Sequence, residues 1–298
     1  MKKETLSFLR CPKTHEPLKL EGAVFDEFGE CLSGVLKGDN NVYEINGGFI
    51  DFVNTDSSND HSVKYDLARN SYVDKLIRNK WTYREISVMD GLRLNINKIL
   101  SKYLREYVNG RVLEIGAGGN YLKENFSQNS NDWISTDYDL RASIDLRCDA
   151  MSLPFKSETF HVVVCVDVLE HVEDPVLMMK EISRVLVKGG VLILSTPFFF
   201  YLHEAPYDFF RFSKYGLKKV VVNSGLSPIE MRPTGGLLLV FGIIFTSLIV
   251  HALYRFRLIC NLFLWINKHI QHMLIPLDKF LNRNEKFSQG NFVLAKKK

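Results

Sequence analysis

The chain has 298 residues, of which 46% are hydrophobic and 24% charged, and its formal net charge is +4. That length accommodates one large domain plus a small appendage, and the composition excludes an extended disordered protein. No long Lys/Arg run precedes the terminal Lys296, Lys297 and Lys298, which argues against an extended nucleic-acid footprint and leaves room only for a local basic patch.

The amino-terminal MKKETLSFLRCPKTHEP carries basic residues but no uninterrupted apolar core after them, unlike a secretory signal. Short β-like runs follow at Val42–Ile45 and Phe49–Val53, with turn residues at Gly38-Asp39-Asn40-Asn41 and Gly47-Gly48. Asn54 to Ser62 is polar and reads as a linker. From Arg69 to Val108 the spacing becomes helical, through Leu76, Ile77, Ile86, Leu92, Leu94, Ile96, Ile99, Leu100 and Leu104. Beyond Arg111, strands and helices alternate. The predicted strands are Arg111–Ile115, Trp133–Thr136, His161–Val166 and Val191–Ser195. The predicted helices are Asn120–Phe126 and Pro175–Val187, the latter ended by Lys188-Gly189-Gly190. Such alternation predicts an α/β fold with a parallel sheet covered by helices on both faces. The five cysteines, Cys11, Cys31, Cys148, Cys165 and Cys260, are scattered and odd in number, which fits a reduced, cytoplasmic setting better than a disulfide scaffold.

The chemistry concentrates at strand ends. In VLEIGAGGN, Val112 to Asn120, Gly116 and Gly118 let the backbone turn sharply and approach a ligand with no Cβ in the way, and the following helix would aim free N–H groups at it. Glycine turns of this kind serve packing about as often. Asp137 closes the next strand about 20 residues on, where a carboxylate can accept from ribose hydroxyls, although a lone Asp also caps helices. Asp149 lies in CDAMSLPF, and DVLEHVEDP, Asp167 to Pro175, follows a continuous apolar strand.

VLEIGAGGN, STDYD, CDAMSLPF, FHVVVCVDVLEHVEDP and VLILSTP resemble, in order and spacing, the core of class I S-adenosylmethionine-dependent methyltransferases, above all the group acting on small molecules and glycans. The likeness covers about residues 105 to 230. It implies a Rossmann-like, mostly parallel seven-stranded sheet with helices on both faces and S-adenosylmethionine as cofactor. Glu114, Gly116 and Gly118 would then frame the methionine portion, Asp137 would bind the ribose, and Tyr138 would flank the adenine. Asp149 and Ala150 would lie at the adenine edge and Asp167 beside the methyl donor. Asn120 stands where the family's third glycine usually falls, and Asn tolerates the left-handed backbone better than most residues. A nicotinamide dehydrogenase would want that glycine at position 121, where this chain has Tyr121.

Methyl transfer from an activated sulfonium is mostly a matter of alignment, and a hydroxyl acceptor also needs its proton removed. His171 sits in the loop after the buried strand. His203, Glu204, Tyr207, Asp208 and Arg211 follow the next one, beside many aromatics. His203 and Asp208 are the preferred acceptor-side residues, with His171 third. A helix-capping His171 and a structural Asp208–Arg211 pair are at least equally weighted readings.

Residues 1–55 resemble a zinc-ribbon-like domain, with CPKTHEPL as its start and VYEINGGFIDF as its end. Thr14 replaces the second cysteine, and Cys11, His15 and Cys31 lack the paired spacing of a tetrahedral site, so no metal is expected. Residues 56–110 read as linker and helices, and 111–234 plus 289–298 as the core. Leu226–Arg232 and Asn291–Lys296 supply its last two strands. Residues 235–288 read as an apolar helical hairpin inserted between those strands. Gly235–Tyr254 has no Asp, Glu, Lys or Arg and is long enough to span a bilayer, yet one crossing would strand the last β-strand on the wrong side. A hairpin on the membrane surface, its basic residues facing an anionic leaflet, fits better, with a buried helix or homodimer interface weighted equally. The expected protein is a cytoplasmic methyltransferase in peripheral contact with the membrane, acting on a small-molecule, lipid-linked or glycan acceptor of surface-polysaccharide assembly. The alternatives are a cofactor-binding but catalytically idle scaffold and, more weakly, an RNA methyltransferase.

Overall fold

The computed structural model describes residues 1–38, 40–53, 88–130, 132–139, 144–253 and 255–298. The predicted linker at Asn54–Ser62, the helix-spaced Leu76, Ile77 and Ile86, and the single residues Asp39 and Tyr254 lie outside the described residues.

After a short helix α1 (Lys3–Ser7), strands β1 (Lys19–Phe25), β2 (Cys31–Lys37), β3 (Val42–Asn46) and β4 (Phe49–Asp51) run as an antiparallel meander. Its last turn is Gly47-Gly48, both at positive φ, a conformation that costs glycine little. Helix α2 (Val88–Tyr107) precedes β5 (Arg111–Ile115), α3 (Tyr121–Phe126), β6 (Asp132–Asp137), β7 (Leu146–Arg147) and β8 (Phe160–Val166). Then come α4 (Pro175–Val185), β9 (Leu186–Pro197), α5 (Lys214–Asn223), β10 (Leu226–Pro233), α6 (Leu237–Leu253), α7 (Arg257–Leu281) and β11 (Gly290–Lys297).

The strands form one sheet in the order β1-β2-β3-β4-β7-β6-β5-β8-β9-β11-β10. From β4 to β9 every neighbouring pair is parallel, and β11 is antiparallel to both β9 and β10. The sheet therefore has eleven strands where seven were expected. The difference arises because the amino-terminal meander is not a separate appendage. Ile50 pairs with Leu146 and Asp51 with Arg147, and the Phe52 amide donates to the Arg147 carbonyl at 2.9 Å. β7 is two residues long, and β4 satisfies the backbone groups its open edge would otherwise present.

The central strands bury both faces. Val112, Val162, Val164, Ile193 and Phe292 pack with Ile99, Leu100 and Leu104 of α2 on one side. Leu113, Val163, Cys165, Leu192 and Leu194 pack with Met178 and Ile182 of α4 on the other. This two-sided burial is why these strands read as unbroken apolar runs. Helix α4 starts at Pro175 behind an Asp174 cap, whose Oδ1 accepts from Val176 and Leu177 at 2.9 Å each. It ends two residues before the predicted Val187, because Leu186 is already extended and opens β9. Gly189, at φ 76°, then sits in a bulge where the register steps from Phe160↔Leu186 to Val162↔Val191.

Helices α6 and α7 lie in sequence between β10 and β11 and pack on one another and on α2. Asp278 of α7 caps α6 across the pair, accepting from the Gly236 amide at 2.6 Å and the Leu238 amide at 2.8 Å. Midway along, the Thr246 hydroxyl accepts from Asn267 at 2.7 Å and from Gln271 at 3.2 Å, all three side chains being buried. Among the described residues no helix is long and apolar enough to cross a membrane.

Candidate functional site

β5, β6 and β8 are parallel, so Gly116, Tyr138 and Asp167, each one residue past a strand end, meet along one edge of the sheet. This is the edge at which open α/β sheets bind ligands. The turn is fixed from both sides. Gly116 and Ala117 donate to the Thr136 carbonyl at 2.9 and 3.0 Å, and Gly118 donates to Asp137 Oδ2 at 2.8 Å. Asp137 Oδ1 accepts from the Asp139 amide at 2.9 Å, and burial raises the Asp137 carboxyl above its ordinary range despite these donors. Gly116 (φ 73°) and Gly118 (φ 54°) are both left-handed, and Asn120, at φ 59° and ψ 18°, takes the conformation expected of it.

Gly116 is required for space as well as for φ, since a Cβ there would come within 2.1 Å of Val168 Cγ2. Above Gly118 and Gly119 the turn is open, with nothing within 4 Å of an added Cβ. The Asn120 Oδ1 at the same turn is buried without a partner. These features fit a ligand seated on the turn. Beneath it, Glu114 is 4% exposed and accepts from Trp133 Nε1 at 2.8 Å, and burial pushes its carboxyl up to about 7.

Tyr138 is anchored from the neighbouring strand: Arg147 Nε donates to its carbonyl at 2.9 Å, and the guanidinium lies 5.3 Å from its ring centroid. The Cys148 amide donates to the Asp137 carbonyl at 3.1 Å, which brings Asp149 and Ala150 alongside. Asp149 Oδ1 accepts from the Met151 amide at 2.8 Å, closing a turn.

The second half of the site is a cavity of about 120 Å³ whose lining includes Asp167, His171, Thr196, Phe200, His203 and Glu204. Asp167, at φ 54°, accepts from Ser195 Oγ at 2.8 Å. Val168, the residue after Asp167, packs on Gly116, so the glycine turn lies one residue from the cavity wall. His171 and His203, 32 residues apart in sequence, bring their Nε2 atoms to 3.1 Å of each other. His171 Nδ1 lies 2.6 Å from the Tyr207 carbonyl. On its other edge His203 Nδ1 faces Asp208 Oδ2 at 3.3 Å and the Tyr201 carbonyl at 3.3 Å. Burial lowers both imidazoles below their usual range.

Asp208 is held by Arg211 at 2.5 and 2.6 Å in a two-toothed pair, and its Oδ2 also accepts the His203 amide at 2.9 Å. Although burial alone would raise its carboxyl, the Arg211 and His203 contacts hold it below the usual range. Asp208 thus sits on the far edge of the His203 ring from His171 and grips that ring. Glu204, in the cavity wall, is pushed up to about 7 by burial and by Asp208.

Residues 110–194 match the family model described as a methyltransferase domain. This segment is a methyltransferase domain. The ubiquinone biosynthesis O-methyltransferase of Aliivibrio fischeri is 28% identical over 120 residues, covering 34% of this chain and 51% of that protein. The protein of the same name from Parvibaculum lavamentivorans is 29% identical over 110 residues, covering 32% and 44%. The chain spans about half the length of the curated relatives it matches. Among solved structures, Haemonchus contortus phosphoethanolamine N-methyltransferase 2 in complex with S-adenosyl-L-methionine aligns with a TM-score of 0.45 and 15% identity, over 76% of this chain and 60% of that one.

Two residues of the methyltransferase domain escaped sequence reading. Arg147 is 2% exposed and ion-paired to Asp51 at 3.2 Å, and a lone Arg in a two-residue strand gives no warning of that. Glu170 is fully buried, and neither carboxylate oxygen has a hydrogen-bond partner. Burial and Asp167 together hold its carboxyl well above the usual range. Its place in LEH, beside His171 and after a buried strand, was the available sign. In the amino-terminal 55 residues, Cys11 is engaged by Tyr43 and Asn41 and Cys31 by the Ser33 carbonyl, while His15 is exposed.

Proposed function

We propose that this protein transfers the methyl group of S-adenosylmethionine to a hydroxyl of a lipid-linked or otherwise apolar small molecule, at the cytoplasmic face of a membrane. The observation that carries the reading is the contact between Gly116 and Val168, which sets the glycine turn against the residue that follows Asp167 in the wall of the cavity holding His171 and His203. Bound S-adenosylmethionine supplies an activated methyl group. Gly116, Gly118 and Glu114 would hold its methionine end, Asp137 its ribose, and Tyr138, Asp149 and Ala150 its adenine edge, with Asp167 facing the sulfonium side. His203 and His171, kept neutral by burial, are positioned to take the acceptor's proton, and Asp208 orients His203. The Thr196 hydroxyl, buried in the cavity wall without a partner, offers the acceptor a hydrogen bond.

The apolar character of the acceptor rests on the helical pair. Thr234 and Gln289, where the chain leaves and rejoins the sheet, line the cavity, so α6 starts and α7 ends near its mouth. They expose Phe245, Leu248, Leu258, Trp265, Met273 and Phe280. The one carboxylate within residues 237–281, Asp278, is 2% exposed, whereas Lys268 is half-buried and Lys279 exposed. Large apolar side chains with basic and no acidic neighbours suit an anionic lipid surface. A lipid-linked sugar intermediate of surface-polysaccharide assembly is an acceptor of this class.

Calorimetric titration with S-adenosylhomocysteine tests the cofactor half: saturable binding weakened at least tenfold by Asp137→Ala is expected, and no binding by folded protein overturns the reading. Co-sedimentation with phosphatidylglycerol vesicles tests the acceptor half. A Leu258→Ser/Trp265→Ser/Met273→Ser variant should lose partitioning. Equal partitioning, or a stable dimer that already covers the face, replaces the membrane with another occupant.

A further inference from the structure

Glu170, His171 and His203 converge on one point from two loops. Glu170 Oε1 lies 3.6 Å from His171 Nε2 and 3.7 Å from His203 Nε2, and the two Nε2 atoms are 3.1 Å apart. A point equidistant from the corners of that triangle is about 2.0 Å from each, which matches bond lengths of about 2.0–2.2 Å from zinc-like cations to imidazole nitrogen and carboxylate oxygen.

The surroundings set the rings for the same task. His171 Nδ1 donates to the Tyr207 carbonyl, and His203 Nδ1 has two acceptors at 3.3 Å, the Tyr201 carbonyl and Asp208 Oδ2, with Arg211 Nη2 farther off at 3.4 Å. With both Nδ1 atoms protonated, both Nε2 lone pairs face inward, as second-shell acceptors arrange in metal-binding histidines. Two lone pairs at 3.1 Å, beside a fully buried carboxylate with no hydrogen-bond partner, repel unless something positive lies among them. Arg211 cannot serve, because Asp208 takes both of its terminal nitrogens on the other side of His203.

We infer that Glu170, His171 and His203 bind a first-row divalent cation in the floor of the acceptor cavity, leaving further coordination positions open toward it. Two imidazoles with one carboxylate favour manganese, cobalt, zinc or iron over magnesium or calcium. Resting on the methyl-transfer reading, the cation's task is to coordinate the acceptor hydroxyl and lower its pKa. With both Nε2 lone pairs taken by the cation, His171 and His203 act as ligands and not as the base, so the hydroxyl proton leaves to water, the oxygen's electron pair forms the new O–CH3 bond, and the S–CH3 bond breaks with its pair retained by sulfur. The substrate class narrows accordingly to oxygen acceptors.

The test is titration of the full chain, stripped with a chelator and free of cofactor, with Co2+ followed by visible absorption and with Mn2+ followed by electron paramagnetic resonance. One saturable site is expected, weakened at least tenfold by Glu170→Gln and by His203→Gln but not by His269→Gln on α7. Circular dichroism and melting temperature verify that each variant is folded. A folded wild type that binds neither ion at millimolar concentration overturns the inference, and so does binding that both site variants leave unchanged. S-adenosylhomocysteine titration separates the two readings. Cofactor binding without metal binding sinks only the cation site, and metal binding without cofactor binding sinks only the methyl-transfer reading.

Discussion

Arg147 holds Tyr138 by its main chain, and the same guanidinium reaches back to Asp51 in the amino-terminal meander. The proposed adenine edge is therefore tied to strands that lie outside the methyltransferase domain. Arg147→Met should destabilise the protein by about 1–3 kcal/mol, because the Tyr138 carbonyl loses its donor while Asp51, 37% exposed, is left to solvent. It should also weaken S-adenosylhomocysteine binding several-fold. Thermal unfolding and calorimetry check the two effects separately; an unchanged affinity would show that Tyr138 does not border the nucleoside.

Gly116→Ala is expected to abolish cofactor binding. The added Cβ meets Val168 at 2.1 Å, and φ 73° is itself strained for alanine. Pairing it with Val168→Ala removes the collision but not the φ penalty, so binding should return only in part. Full recovery in the double variant would mean that the backbone conformation is unimportant.

Glu114 predicts a pH-dependent stability of defined sign. Its carboxyl titrates at about 7 in the folded chain against a usual 4.5, because of burial. The folded state thus holds a proton that the unfolded state has released. The stabilisation is complete below about 4.5 and is lost as pH rises through about 7, up to roughly 3 kcal/mol. Glu114→Gln should flatten that slope in chemical denaturation carried out between pH 5 and 8. Binding of a cationic methionine end favours the ionised carboxylate, so wild-type titrations near pH 6 should release protons that the variant does not.

Asp278→Asn should loosen the start of α6. The carboxylate accepts from Gly236, Leu238 and Leu239, and losing its charge at a helix amino terminus costs about 1–2 kcal/mol. Amide hydrogen exchange at residues 236–240 should rise while that of β5 and β8 stays slow.

The strands of the core were legible because burial on both faces writes them as continuous apolar runs, and the glycine turn because its positive φ angles demand Gly or Asn. β1 and β2 were not, since KLEGAVF and CLSGVLK alternate half-exposed residues with no clean period. β7 is too short to carry a pattern, and its pairing with β4 depends on contacts almost a hundred residues apart. Seven strands were expected for the same reason: nothing local in Phe49–Asp51 says which edge it will join. His171 and His203 were each visible, but their meeting, and the burial of Glu170 beside them, depend on two loops folding over one cavity. Asp208, preferred with His203 on the acceptor side, makes the ion pair with Arg211 that was weighed against that role, and lies at the back of the His203 ring.

The excursion through α6 and α7 returns to the point it left. Pro233 pairs with Asn291, and the ladder runs on through Thr234–Gly290 and Gln289–Gly235 before the helices begin. Its two ends are thus stapled side by side, so the sheet's register does not depend on what the intervening chain contains. The helical pair is in that sense a cassette. An ancestral or engineered exchange of it would alter the outer face beside the cavity without disturbing the pairing of β10 with β11, so that one chassis can carry different surfaces.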